Sequence, residues 1–323
     1  MRNRDAFVIL HPMNPLRSAI QWRALPIGGD AASSYALHIG EAGESGPLAL
    51  ITAGIHGDEG PWGAASIHRL LAETPREDLR GRLRIVPAAN PNALAHEARC
   101  APLDSLDLNR LFPGDASGSH SEWLAALITA EALADVDHLI DLHGGGSWCV
   151  NQFMHQAEGE TQLSTSFGAP FVSRMPDHPG MLANCARSQG SQVTGTEIGG
   201  RGRREGEFIA QVTAGLRRAL GRIGVLSSLP EEDAPPPAQL IEEMQVLRPL
   251  RGGILQPALG AEAVGTTVPR GTLLGELLHP ATFATLERFE APYPTTALLL
   301  LRPHLTALEA GAMTYVLGRA PDA

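Results

Sequence analysis

His56 and Glu59 share the stretch Ile55-His56-Gly57-Asp58-Glu59-Gly60, where glycines free the backbone to turn both side chains toward one point. Imidazole and carboxylate are both good zinc ligands. A third group of the same kind, His143, stands in Asp141-Leu142-His143-Gly144-Gly145-Gly146. Three protein ligands leave a fourth position for water, the pattern of a catalytic zinc rather than a closed structural one. That chemistry needs a proton shuttle, and Glu197 in Gly195-Thr196-Glu197-Ile198-Gly199-Gly200 is the candidate general base. Any one of these residues alone reads better as an ordinary hydrogen-bonded side chain. Together they predict one zinc ion per chain, held by His56, Glu59 and His143.

Each of these residues ends an apolar run of strand length. Pro47 to Ile55 leads into the first histidine and Val136 to Leu142 into the second, while Ser191 to Ile198 carries Glu197. A further run, Leu83 to Pro87, leads to Asn90-Pro91-Asn92. Helical spacing over Pro61–Ala72, Ser121–Ala134 and Glu205–Leu220 alternates with these runs, which predicts an α/β sheet covered on both faces. Ligands of such sheets bind beyond the carboxyl ends of the strands, where the histidines and glutamates fall. The proline-rich stretch Leu229 to Gln239 suits neither helix nor central strand and predicts a linker. The expected organisation is therefore a catalytic α/β unit over residues 1–230 and a smaller all-β unit over 240–323, punctuated by glycines from Gly252 to Gly311.

A net charge of -10 without a basic stripe argues against a sequence-independent grip on nucleic acid. No run approaches the roughly 20 apolar residues that span a bilayer, so no membrane association is expected. Cys100, Cys149 and Cys185 are odd in number and widely spaced, which suggests neither a disulfide framework nor a cysteine zinc site and fits a reducing cytoplasm.

In chain order, His56-Gly57-Asp58-Glu59, Asn90-Pro91-Asn92, Asp107-Leu108-Asn109-Arg110, Asp141-Leu142-His143 and Glu197-Ile198-Gly199-Gly200 resemble the motifs of the succinylglutamate desuccinylase and aspartoacylase family. The resemblance covers roughly Leu48 to Leu220, and less specifically the glycine-rich tail. It implies a zinc-carboxypeptidase-like three-layer α/β/α domain with a mixed sheet, a smaller C-terminal all-β domain, and a zinc-dependent amidohydrolase that removes the acyl group from a small N-acyl amino acid. It also implies that Asn109 and Arg110 receive the substrate carboxylate and that Arg99 polarises the scissile carbonyl. The fork of donors on arginine suits both tasks. The Glu197-Ile198-Gly199-Gly200 context and the long tail look more like the bacterial deacylases of the group, N-acetyl-diaminobutyrate deacetylases among them, than like aspartoacylase proper.

Asp141 is the expected carboxylate partner of a ligand histidine, in preference to Asp58, because strand alternation points Asp141 and His143 to the same side. His68, His96, His138 and His155 read as satisfied core or surface side chains, and Trp148 as packing. Arg187 and the Arg201–Arg204 cluster are open as substrate contacts, with a solvated face as the default. Two alternatives to the deacylase remain: a metallocarboxypeptidase acting on small peptides, and a non-catalytic metal-containing binding protein. The C-terminal module is expected either to restrict the pocket or to build a homo-oligomer interface.

Overall fold

The computed structural model describes residues 14–29, 34–157, 159, 161–228 and 234–321, so only part of the expected linker at Leu229 to Gln239 lies among the described residues. Strands β1 (Gln21–Gly29) and β2 (Ser34–Ala42) form a hairpin, followed by β3 (Leu48–Ala53), helix α1 (Gly60–Glu73), β4 (Arg82–Val86) and the short helix α2 (Pro91–Ala95). After α3 (His120–Glu131) come β5 (His138–His143), β6 (Val150–Gln156), α4 (Thr161–Thr165), β7 (Phe171–Arg174), α5 (Leu182–Ser188), β8 (Gln192–Gly199) and α6 (Glu205–Arg222). From there on the described chain is built from strands: β9 (Gln239–Ile241), β10 (Met244–Leu247), β11 (Gly253–Pro257), β12 (Thr267–Pro269), β13 (Leu273–Leu278), β14 (Thr285–Glu290), β15 (Thr295–Leu301), β16 (Thr306–Leu308) and β17 (Tyr315–Arg319).

Among the described residues thirteen strands join in one mixed sheet, whose main order is β1-β2-β4-β3-β5-β8-β6-β15-β17-β10. Its centre, β4-β3-β5-β8, is parallel. Of these, β3 is the nearly continuous apolar run that burial on both faces requires. In β3 all six residues are buried, and they alternate: Ala49, Ile51 and Ala53 join the core beneath α1 and α6, while Leu48 and Leu50 join the core beneath α3 and α5. That alternation makes the three layers. Helix α6 supplies its share through Phe208, Val212, Leu216 and Ala219, one face at helical spacing.

The expected all-β character of the C-terminal stretch is present, as a separate antiparallel sheet in the order β14-β13-β11-β16. The other five strands of that stretch, β9, β10, β12, β15 and β17, belong to the large sheet instead, with Leu300 of β15 opposite Asn151 of β6. The two sheets share one core, and the Tyr315 hydroxyl of β17 donates to the Leu274 carbonyl of β13 at 3.0 Å. This attachment brings C-terminal side chains to the carboxyl ends of the parallel strands. Among the described residues no helix is long and apolar enough to cross a membrane.

Because Ile51 is fully buried in the strand that delivers the first ligand candidates, Ile51→Ala is expected to destabilise the fold by about 2–5 kcal/mol. Urea denaturation checks this; a loss below about 1 kcal/mol would show that β3 is not the tightly packed centre described.

Candidate metal centre

The turn that leaves β3 carries His56 and Glu59 and runs directly into α1, whose second residue is Pro61. Gly57 lets this turn pass against α2: a Cβ there would collide with the backbone of Ala93. Helix α2 is in turn fixed by the Asn90-Pro91 pair, with Asn90 Oδ1 accepting from the Ala93 N–H at 3.2 Å and Pro91 as first helical residue. The Asn-Pro-Asn motif thus shapes the wall on which the ligand turn rests. His143 is the last residue of β5, and β8 places Glu197 beside it in register. The expected carboxyl-end location of the site is what the fold provides.

The donor atoms converge. Nδ1 of His56 lies 3.1 Å from Oε1 of Glu59, and Nδ1 of His143 lies 2.9 Å from its Oε2. One donor atom from each of the three residues falls within 4.8 Å of the others, so the triad could hold a metal ion. The opposite ring nitrogens are engaged as well. His143 Nε2 is 2.9 Å from Asp141 Oδ2, and His56 Nε2 is 3.0 Å from Asp107 Oδ1. Asp141 is itself held by the Thr52 hydroxyl at 2.5 Å, and Asp107 by the Arg99 guanidinium at 2.9 Å. Each histidine is therefore oriented by a carboxylate so that Nδ1 faces Glu59.

The electrostatics suit a cation. Burial opposes charging of both histidines, yet neighbouring carboxylates outweigh it: Glu59 and Asp107 raise the pKa of His56, and Asp141 and Glu59 raise that of His143 well above the ordinary value. Glu59, despite burial, is held below the usual carboxylate range by His56 and His143. A buried cluster of two imidazoles and a carboxylate, backed by two more carboxylates, is a donor set that fits zinc.

Glu197 differs. Burial first, and then the negative charge of Glu59, push its carboxyl up to about 7, against the opposing effects of His143 and of the Asn151 amide, which donates to Oε2 at 2.6 Å. A dication beside it would lower this value again. Its other oxygen, Oε1, lies 3.8 Å from His155 Nε2. His155, expected to be an ordinary core residue, lines the site and is kept neutral, its pKa lowered to about 4 by burial and by His143. No local motif marked it.

A cavity of about 340 Å³ opens over these groups, and His56, Glu59, His143, Glu197, Arg99, Asn109 and Arg110 all reach it. Asn109 is buried and spends Oδ1 on the Leu182 N–H at 2.9 Å, while Arg110 is exposed and donates to the Asn109 carbonyl at 2.7 Å. Arg110 forms no ion pair with Asp104 or Asp107 among the described residues: Asp107 serves His56 and Arg99, and Asp104 accepts from Ser121. Arg99 also reaches Glu59 Oε1 at 3.4 Å. Asp58, buried with Oδ1 unpartnered, does not orient a histidine; Asp107, read in the sequence only as a neighbour of Arg110, does. Arg187 bonds Asn184 on α5, Arg201 pairs with Glu97, and Arg204 with Glu207, and none of them lines the cavity. Trp148 does line it, with the Arg302 guanidinium stacked on its ring at 4.0 Å.

Residues 45–223 match the succinylglutamate desuccinylase/aspartoacylase catalytic domain. Over 217 residues the chain is 32% identical to the N-alpha-acetyl-L-2,4-diaminobutyric acid deacetylase of Halomonas elongata, a match spanning 62% of this chain and 63% of that relative, less than two thirds of its length. The fold is similar to the product-bound ectoine utilization protein EutE (DoeB) of Ruegeria pomeroyi, with a TM-score of 0.80 at 24% identity over 95% of this chain and 98% of that one. It is also similar to an aspartoacylase family protein of Mesorhizobium loti, with a TM-score of 0.77 at 25% identity over 94% and 96% of the two chains. With its catalytic-domain match covering more than half of its length, the chain belongs to the succinylglutamate desuccinylase/aspartoacylase family.

Proposed function

We propose that this protein is a zinc-dependent amidohydrolase that removes the acyl group from a small N-acyl amino acid. The observation that carries the reading is the convergence of His56, Glu59 and His143 at the floor of a cavity that also holds Glu197 and Arg110. The deacetylase named among its relatives supports the reaction class. In this reading residues 1–230 are the catalytic unit, and 240–323 a second unit that narrows the cavity from one side.

His56, Glu59 and His143 would hold one zinc ion. Zinc, when bound, supplies Lewis acidity that polarises a carbonyl and brings the pKa of a water to about 7. Arg110, with Asn109, binds the substrate carboxylate and so fixes the amide over the site. The Nη1 of Arg99, at the edge of Glu59, donates to the carbonyl oxygen as negative charge develops there. Glu197 takes the proton of the attacking water and delivers it to the leaving nitrogen. The Asn151 amide holds one Glu197 oxygen, so the other is the one that moves the proton. The products are a carboxylic acid and a free amino acid.

Elemental analysis of wild-type protein is expected to give one zinc per chain, lost in His143→Ala; wild type that takes up no metal when supplied with zinc would overturn the proposal. For Glu197→Gln, steady-state kinetics should show kcat lower by about 10²- to 10⁴-fold with zinc retained. Asp107→Asn should weaken zinc affinity by about 10- to 100-fold in competition with a chelator, because His56 loses its orienting carboxylate. Wild-type affinity in that variant would show that Asp107 serves only Arg99.

A further inference from the structure

Four of the chain's seven methionines, Met175, Met181, Met244 and Met313, line the cavity above the candidate metal centre. Trp148 and Phe153 add aromatic surface to it. The methionines come from both sides. Met175 and Met181 belong to the segment beside Arg110, which Gly180 allows to lie against the Arg110 backbone, where a Cβ would collide. Met244 and Met313 come from the C-terminal stretch, together with Val246, Leu300 and Val316. Met244 and Val246 remain 39% and 40% exposed, an apolar rim open to whatever enters.

Among the described residues that line the cavity, the charged groups are nearly all engaged. Glu59 faces the two ligand histidines, Asp141 is shared by Thr52 and His143, and Glu197 is held by Asn151. Arg99 is bound by Asp107 and Glu59. The chain has no lysine, so Arg110, which donates to the Asn109 backbone carbonyl, is the lining cation left to receive a ligand. His178 stands exposed. The cavity thus offers one site for one carboxylate and apolar walls elsewhere. A second charge on the ligand would be desolvated against methionine without a partner.

We propose that the substrate is an N-acyl derivative of a neutral, apolar amino acid, bearing one carboxylate and no side-chain charge. This rests on the deacylase reading above and goes beyond it by fixing the substrate class. Methionine side chains repack around varied apolar shapes, so the site takes unbranched, thioether and aromatic groups alike. It also takes acyl chains longer than acetyl, each further buried methylene raising kcat/KM about fourfold until the cavity is filled.

The test compares N-acetylmethionine, N-acetylaspartate and N-acetyl-2,4-diaminobutyrate, followed by N-butyrylmethionine, on the full-length zinc-loaded chain. Binding of the same compounds to the zinc-loaded Glu197→Gln chain, read by calorimetry, ranks them independently of turnover. The expected result is a preference of at least tenfold for N-acetylmethionine over both charged compounds in both readouts, with N-butyrylmethionine better still. Met313→Lys should then lose at least tenfold on N-acetylmethionine and gain on N-acetylaspartate. Faster turnover and tighter binding of either charged compound would overturn the substrate class while leaving the deacylase standing. Absence of turnover on every compound would overturn the deacylase reading; apolar-ranked binding in that case would still support the cavity's preference, and unranked binding would overturn it.

Discussion

The carboxylate of Glu59 lies between two imidazoles, one oxygen facing Nδ1 of His56 and the other facing Nδ1 of His143. Burying a carboxylate is costly unless opposite charge or hydrogen-bond donors surround it, and here they come from two separate strand ends. The arrangement therefore requires β3 and β5 to run parallel as neighbours, with a turn after β3 tight enough to present both His56 and Glu59. Asp107 and Asp141 extend the same logic outward, fixing the far nitrogen of each ring and being fixed in turn by Arg99 and Thr52. Carboxylates and their donors thus alternate outward from Glu59, a setting that suits a dication.

The position of Glu197 follows from the same frame. As the register partner of His143 on β8, it stands beside the cluster without being one of its converging donors, and burial raises its pKa where that of Glu59 is depressed. Two carboxylates on one floor are thus shifted in opposite directions by their surroundings, which suits the separate roles proposed for them. The C-terminal strands contribute something different. By continuing the large sheet past β6 they bring Leu300, Met313 and Val316 to the cavity, giving the candidate centre an apolar wall.

The sequence made the centre of the fold legible because β3, β4, β5 and β8 are short strand-length runs that lead into glycines, the Asn-Pro-Asn turn or ligand-type residues. Strands β1, β2, β6 and β7 were not legible: β6 reads Val-Asn-Gln-Phe-Met-His-Gln, too polar to announce itself, and its pairing with β8 and β15 is set by long-range packing. The same limit hid the attachment of β15 and β17 to the large sheet, since glycine spacing marks where strands end and not which strands they join. At the site, His56, Glu59, His143 and Glu197 stood in recognisable motifs. Asp107 escaped because its motif was read for the arginine it carries, and His155 and the four cavity methionines because no local pattern distinguishes them from core residues.

The account's central claim, a metal held by two imidazoles and one carboxylate, is tested most directly by X-ray absorption at the zinc edge on the purified, zinc-loaded protein. The predicted spectrum shows two imidazole ligands with the remaining scatterers oxygen and no sulfur. A coordination sphere containing sulfur, which Cys149 in the cavity wall could supply, or one without imidazole, would contradict the assignment of His56, Glu59 and His143.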